Sequence, residues 1–162
     1  MKSGSRAGTK IFKTDGSSIV NYPAQQLENG IDKNKEHLDE FKTIMFESNI
    51  SYELRSLDIT NSPACIEFCE YVISHYGGLD VLINNAGITH IASISLTNIE
   101  RMREVLEVNY WGAVSLTKNL LNSLIIHQGS IIVINSVTGY SPLIGRGAYV
   151  SSKHACMGFL KP

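Results

Sequence analysis

Two residues near the end of the sequence could move a proton. Tyr149 and Lys153 stand four apart in AYVSSKHACMGFL, a stretch with the pattern of a helix. That spacing puts both side chains on one helix face, about 6 Å apart along the axis. A free phenol ionises near pH ~10, far from neutrality, but a neighbouring ammonium favours phenolate. A tyrosine and a lysine so placed can serve as a general acid/base pair, and the lysine can also bond a ribose. Taken alone, the commoner reading of the spacing is an exposed helix pair.

Other residues narrow that choice. Ser136 lies thirteen residues before Tyr149, at the end of the apolar run GSIIVINS, where its hydroxyl could hold a substrate oxygen beside the phenol. Asn109 falls inside a helical pattern although asparagine is a poor helix former. It is either a tolerated polar residue or a kink whose freed carbonyl holds a water next to Lys153. The NNAG run at 84–87 follows an apolar strand, and its small residues let a flat ring or a ribose approach the backbone. Cys65 and Cys69 lie one helical turn apart with no third or fourth ligand nearby. They read as reduced core cysteines, so no metal site is expected.

The elements that must position these groups follow from periodicity. ELRSLDIT (53–60) is a short strand with a polar turn. NSPACIEFCEYVISHYGG is a helix with Ser62 as N-cap, Pro63 at the first position, an apolar repeat at Ile66, Cys69, Val72 and Ile73, and a stop at Gly77 and Gly78. The apolar strand in LDVLINNAG comes next. The long helical run from Thr97 to His127 then divides into two segments meeting near Asn109, and a strand and the Tyr149 helix complete the order. Val81 to Ile83 and Ile131 to Ile134 are apolar on both faces, which implies an α/β fold with a parallel sheet flanked by helices. Ligands of such sheets bind beyond the carboxyl ends of the strands, where Asp58, Asn84 to Gly87 and Ser136 fall. Before the helix expected from Lys33 to about Phe46, no strong strand stands out. KIF is short, Pro23 interrupts the stretch after it, and residues 1–32 are poorly patterned.

The segments LDIT, LDVLINNAG, EVNYWGA, IIVINSVTG and YVSSK, in this order and spacing, resemble the short-chain dehydrogenase/reductase family over about Tyr52 to Leu160. The resemblance implies a Rossmann-type doubly wound sheet, a nicotinamide cofactor (NAD or NADP) and interconversion of a small-molecule alcohol and carbonyl. It implies that Tyr149 exchanges a proton with the substrate oxygen. Lys153 would favour the phenolate and bind the nicotinamide ribose, and Ser136 would orient the substrate oxygen. Asn109 would anchor a relay water, and Asp58 would bond the adenine amino group with Ile59 against the ring. Asn85, Ala86 and Gly87 would pass the adenosine side of the cofactor. In many relatives the Tyr149 helix and the one before it form a subunit interface, so a homo-oligomer is an expected partner.

Some of the family pattern is missing. The T-G-x-x-x-G-x-G fingerprint is reduced to Thr14, Gly16, Ser17 and Ser18, and Pro23 falls where the next helix should run. Gly4 and Gly8 have glycine spacing without a preceding strand. The second strand reads as absent or very short, with Asp32 and Lys33 both near the place that selects NAD or NADP. The family continues past the Tyr149 helix, whereas the sequence stops at Pro162. The expected domain is therefore a single, incomplete Rossmann-like unit over 1–162, and an inactive truncated or decayed relative, associating with an intact homologous subunit, stands as the second expectation. Tyr140, Leu143 and Ile144 suggest an apolar substrate body such as a steroid, retinoid or lipid-like carbonyl, or else ordinary loop packing.

The bulk composition agrees with a soluble domain. The chain has 162 residues, 43% hydrophobic and 18% charged, and a net charge of -1, which gives no electrostatic case for nucleic acid or anionic membrane. No apolar run approaches the ~20 residues of a membrane span. The basic start MKSGSRAGTKIFK lacks the apolar core of a secretory signal. With its three cysteines, an odd and low count, the chain is expected in the cytoplasm.

Overall fold

The computed structural model describes residues 9–13, 27–32, 39, 42 and 51–160. Five strands form one sheet in the order β3–β2–β1–β4–β5: β1 (Thr9–Lys13), β2 (Leu27–Asp32), β3 (Ser51–Ser56), β4 (Val81–Asn84) and β5 (Ser130–Val133). Helices α1 (Ser62–Tyr76), α2 (Ile99–Leu106), α3 (Gly112–Ile126) and α4 (Gly147–Leu160) alternate with the later strands, as a Rossmann-type α/β arrangement requires. Among the described residues no helix is long and apolar enough to cross a membrane.

The first two strands correct the sequence expectation. Neither TKIFK nor LENGID has a strong strand pattern, yet each pairs on both sides. Strand state here is decided by partners distant in sequence rather than by local propensity. β2 is a full six-residue strand, parallel to β3 and ending on Asp32. β1 departs from the parallel pattern by running antiparallel to both β2 and β4, with Lys10 level with Gly30 and Ile83. Its last residue, Lys13, therefore lies at the amino end of β4, away from Asn84 to Gly87. Thr14, Gly16, Ser17, Ser18, Pro23, Gly4, Gly8 and Lys33 lie outside the described residues. Of the helix expected to run to Phe46, Asp39 and Lys42 are described, both helical and paired at 2.8 Å.

Helix α1 starts one residue earlier than its cap signal suggests. Asn61, not Ser62, is the N-cap, and its Oδ1 accepts from the Ala64 amide at 3.2 Å. The helix ends at Gly77, whose φ of 74° is left-handed, a conformation that costs glycine nothing. Its buried face is Cys65, Phe68, Cys69 and Val72, whereas Ile66 and Ile73 of the expected repeat are exposed. All three cysteines are free and buried. Glu53 of β3 ties the strand to this helix, accepting from Tyr71 at 3.0 Å and from Tyr76, and also bonding Arg55.

Helices α1 and α3 pack together and cover one sheet face, burying Ile31, Leu79 and Leu82 against Val72, Leu116, Leu120 and Leu124. The opposite face differs from the two-sided burial expected of β5, because Ile132 and Ile134 are 44% and 48% exposed. Among the described residues, nothing buries that face.

The turn from α3 into β5 has no room for a side chain. A Cβ at Gly129 would lie 2.5 Å from the Asp80 carbonyl oxygen, which already accepts from Ser130 N at 2.7 Å. Gly129→Ala must shift backbone against backbone, so it should destabilise the fold by about 1–3 kcal/mol. An unchanged urea midpoint would refute this account of the turn.

Candidate active site

The expected chemistry gathers where β4 and β5 end. Between α2 and α3 the chain widens into a π-helical segment, Glu107–Trp111, with Asn109 buried inside it. π-helical turns recur at functional sites and leave backbone groups out of register with the α-helical ladder. The Asn109 side chain clamps the loop after NNAG. Its Oδ1 accepts from Ile88 N at 2.7 Å, and its Nδ2 donates to Ile88 O at 3.0 Å and to Ser152 Oγ at 2.9 Å. The Asn109 carbonyl accepts from the Cys156 thiol at 3.0 Å, which occupies one of the lone pairs expected for the relay water.

Helix α4 carries the pair. Lys153 Nζ lies 5.8 Å from the centroid of the Tyr149 ring and donates to the Ile134 carbonyl at 3.0 Å. Tyr149 is half-buried, and its hydroxyl has no partner among the described residues. Lys153 is only 6% exposed. Burial pushes its ammonium below the ordinary value, with Cys156 pulling weakly the other way, and burial raises the Cys156 thiol. An ammonium with one acceptor and two further hydrogens is prepared to bond an incoming oxygen.

The remaining residues fall into two groups. Ile59, Asn84, Ala86, Asn109, Lys153 and Cys156 line one small hollow. A Cβ at Gly87 would stand 3.4 Å from Asn109 Oδ1 and 3.8 Å from Lys153 Nζ, so NNAG reaches the centre of the cluster. Ser136 leads into a short 3-10 turn, Val137–Gly139, that packs on α4. Its Oγ accepts from Thr138 N at 3.2 Å, and the hydroxyl hydrogen keeps no acceptor among the described residues. Asp58 stands apart, with Oδ1 accepting from Thr60 N at 3.0 Å and Thr60 Oγ1 at 2.8 Å. Ile59 is buried beneath Gly112. Asn85 is half-buried beside Ala86. Tyr140, Leu143 and Ile144 are exposed, the last completely, rather than packed into their loop.

The short chain dehydrogenase family model matches residues 21–162. The chain belongs to the short-chain dehydrogenase family. It is similar to dehydrogenase/reductase SDR family member 7B of Rattus norvegicus, 38% identical over 105 residues, covering 64% of this chain and 32% of that protein. The chain thus spans about a third of the length of that curated relative. Two solved structures superpose with TM-scores of 0.76. One is an alcohol dehydrogenase from Thermococcus sibiricus complexed with 5-hydroxy-NADP, at 25% identity, covering 82% of this chain and 57% of that one. The other is an NAD+-bound xylitol dehydrogenase, at 26% identity, covering 81% and 51%.

In this short-chain dehydrogenase chain the sequence reading missed two side chains. Ser152 sits inside YVSSK, and Cys156 shares the Lys153 face three residues on. Asn84, which opens NNAG, donates to Thr117 Oγ1 at 3.0 Å, while its buried Oδ1 has no partner among the described residues. Helical spacing could have found Cys156. Nothing local marks Ser152.

Proposed function

We propose that this chain carries the acid/base centre of a nicotinamide-dependent oxidoreductase that interconverts an alcohol and a carbonyl. The observation that carries the reading is Lys153, buried beside the Tyr149 ring and in the same cluster as Asn109 and Gly87. A nicotinamide, when bound, supplies or accepts the hydride. The donor set fits such a group at its nicotinamide end: the spare hydrogens of Lys153 suit a ribose hydroxyl, and the Tyr149 and Ser136 hydroxyls suit a substrate oxygen. Tyr149 then takes the alcohol proton or returns it to the carbonyl oxygen, and Ser136 holds that oxygen in line. Asn109 keeps the loop of Ala86 to Ile88 against the site. Asp58, Ile59, Asn85, Ala86 and Gly87 are the proposed adenosine-side contacts. The exposed Tyr140, Leu143 and Ile144 favour an apolar substrate body.

The end of β2 supports NAD over NADP. Asp32 closes that strand, two residues beyond the level of Ile83 and paired with Ser56. A carboxylate at this position accepts from ribose hydroxyls and repels a 2′-phosphate. Thermal melting of the purified chain tests both claims, because a ligand of the native state raises the midpoint. NAD at sub-millimolar concentration should raise it more than NADP, and Asp32→Ala should erase the difference. A larger shift with NADP would refute the assignment.

The reversed β1 favours a second reading. Lys13, the last residue of β1, lies at the end of the sheet opposite the acid/base cluster, whereas a pyrophosphate cradle begins beyond the carboxyl ends of the parallel strands. A chain of this kind keeps the acid/base residues without tight cofactor binding and acts, if at all, beside an intact homologous subunit. No midpoint shift with either cofactor would favour it.

A further inference from the structure

We infer that Ser152 is a positioning residue, whose hydroxyl joins the Asn109 amide, and through it the Ile88 backbone, to the turn of α4 that carries Tyr149. Ser152 is 0% exposed, so its hydroxyl must find its partners inside the protein. It donates to the Tyr149 carbonyl at 2.7 Å and accepts from Asn109 Nδ2 at 2.9 Å. Asn109 in turn holds both backbone groups of Ile88.

The direction of this chain of bonds has one solution. Ile88 N–H can only donate, so it fixes Asn109 Oδ1 as the acceptor and turns Nδ2 toward Ser152. The Tyr149 carbonyl can only accept, so Ser152 must give its proton there and offer a lone pair to Asn109. Three segments far apart in sequence are thus locked by donors and acceptors that cannot exchange roles. These are the loop after NNAG, the π-helical segment and the first turn of α4. A serine that bonds back to the carbonyl three residues earlier also sets the local bend of its helix. Ser152 touches none of the reacting groups. Its effect runs through where Tyr149 stands relative to Ala86 and Gly87.

The kinetic half of the inference rests on the oxidoreductase reading, and the structural half does not. Ser152→Ala in the full chain leaves an Asn109 N–H unpaired. Amide hydrogen exchange followed by NMR should show the Ile88 amide, 64 residues away in sequence, exchanging about tenfold faster or more, while amides of β4 such as Leu82 change little. Turnover should drop by about 10- to 100-fold in kcat with KM little altered, the pattern of a misplaced acid/base rather than a weakened binding site. Ser152→Thr keeps the hydroxyl and should restore both readings. An Ile88 amide that exchanges at the wild-type rate in Ser152→Ala, or one that speeds up only in step with every other amide, overturns the inference. If Ser152→Ala does not fold, Ser152→Thr decides: protection kept at Ile88 supports the link, and protection lost there overturns it. If the unmodified chain turns over no alcohol or carbonyl, the oxidoreductase reading fails, and the exchange result alone judges Ser152.

Discussion

Replacing Tyr149 by Phe should remove alcohol–carbonyl turnover while leaving the cofactor-dependent rise in melting temperature in place. The change deletes one oxygen and keeps the ring, so the packing of the half-buried side chain beside Lys153 survives. The deleted group is the hydroxyl proposed to exchange a proton with substrate. Loss of a positioned general acid/base lowers rates by about 10²–10⁴-fold. Cofactor contacts proposed for Lys153 and for Ala86 and Gly87 do not pass through the phenol oxygen, so affinity should hold. Steady-state kinetics and melting on the same preparation separate these effects. Turnover in Tyr149→Phe within a few-fold of the parent chain would remove Tyr149 from the mechanism.

Lys153→Met should move function and stability in opposite directions. Function falls because the ammonium beside the phenol and the proposed ribose donor are both lost. Stability rises, by about 1 kcal/mol or more near neutral pH, because a buried cation with one carbonyl acceptor is replaced by an apolar chain of similar length. The direction of the shift sets the sign of the pH dependence. Burial lowers the folded-state value of Lys153 below its ordinary 10.5, so between the two values the unfolded chain holds more protons. Stability then increases with pH through that window, and the penalty for the buried charge is present in full below it. The gain of Lys153→Met over the parent should therefore be greatest at neutral pH and shrink as pH approaches 10.5. Urea unfolding of the two chains at matched pH measures this difference directly. Cys65 and Cys69 titrate in both chains, so their contribution cancels, whereas Cys156 loses in Lys153→Met the neighbouring charge that opposes the rise of its thiol. A variant less stable than the parent at neutral pH would show that the Ile134 bond outweighs the cost of burying the charge.

These two residues were legible because their relation is local. A four-residue spacing in a helix sets Tyr149 beside Lys153 whatever surrounds them, and the structure differs from that expectation only in how deeply Lys153 is buried. Asn109 was legible for a related reason: a poor helix former inside a long helical pattern marks a place where the ladder changes, and the π-helical segment lies there. The order of β3, α1, β4, the long interrupted helix, β5 and α4 also comes from periodicity and from the glycines that end α1.

Pairing and side-chain contact across the sheet were not legible. TKIFK and LENGID become strands through partners on both sides, and no local pattern states that β1 runs antiparallel. Asn61 and Ser62 are both good caps, and in the structure it is Asn61 whose side chain bonds the Ala64 amide. Ser152 finds Asn109 across 43 residues, and Asn109 finds Ile88 across 21. The sequence alone determined which groups could do proton chemistry and their order along the chain, because backbone periodicity fixes near neighbours. Only the tertiary structure decided how those groups are buried and tied together, because hydrogen-bond partners and desolvation are set by residues remote in sequence.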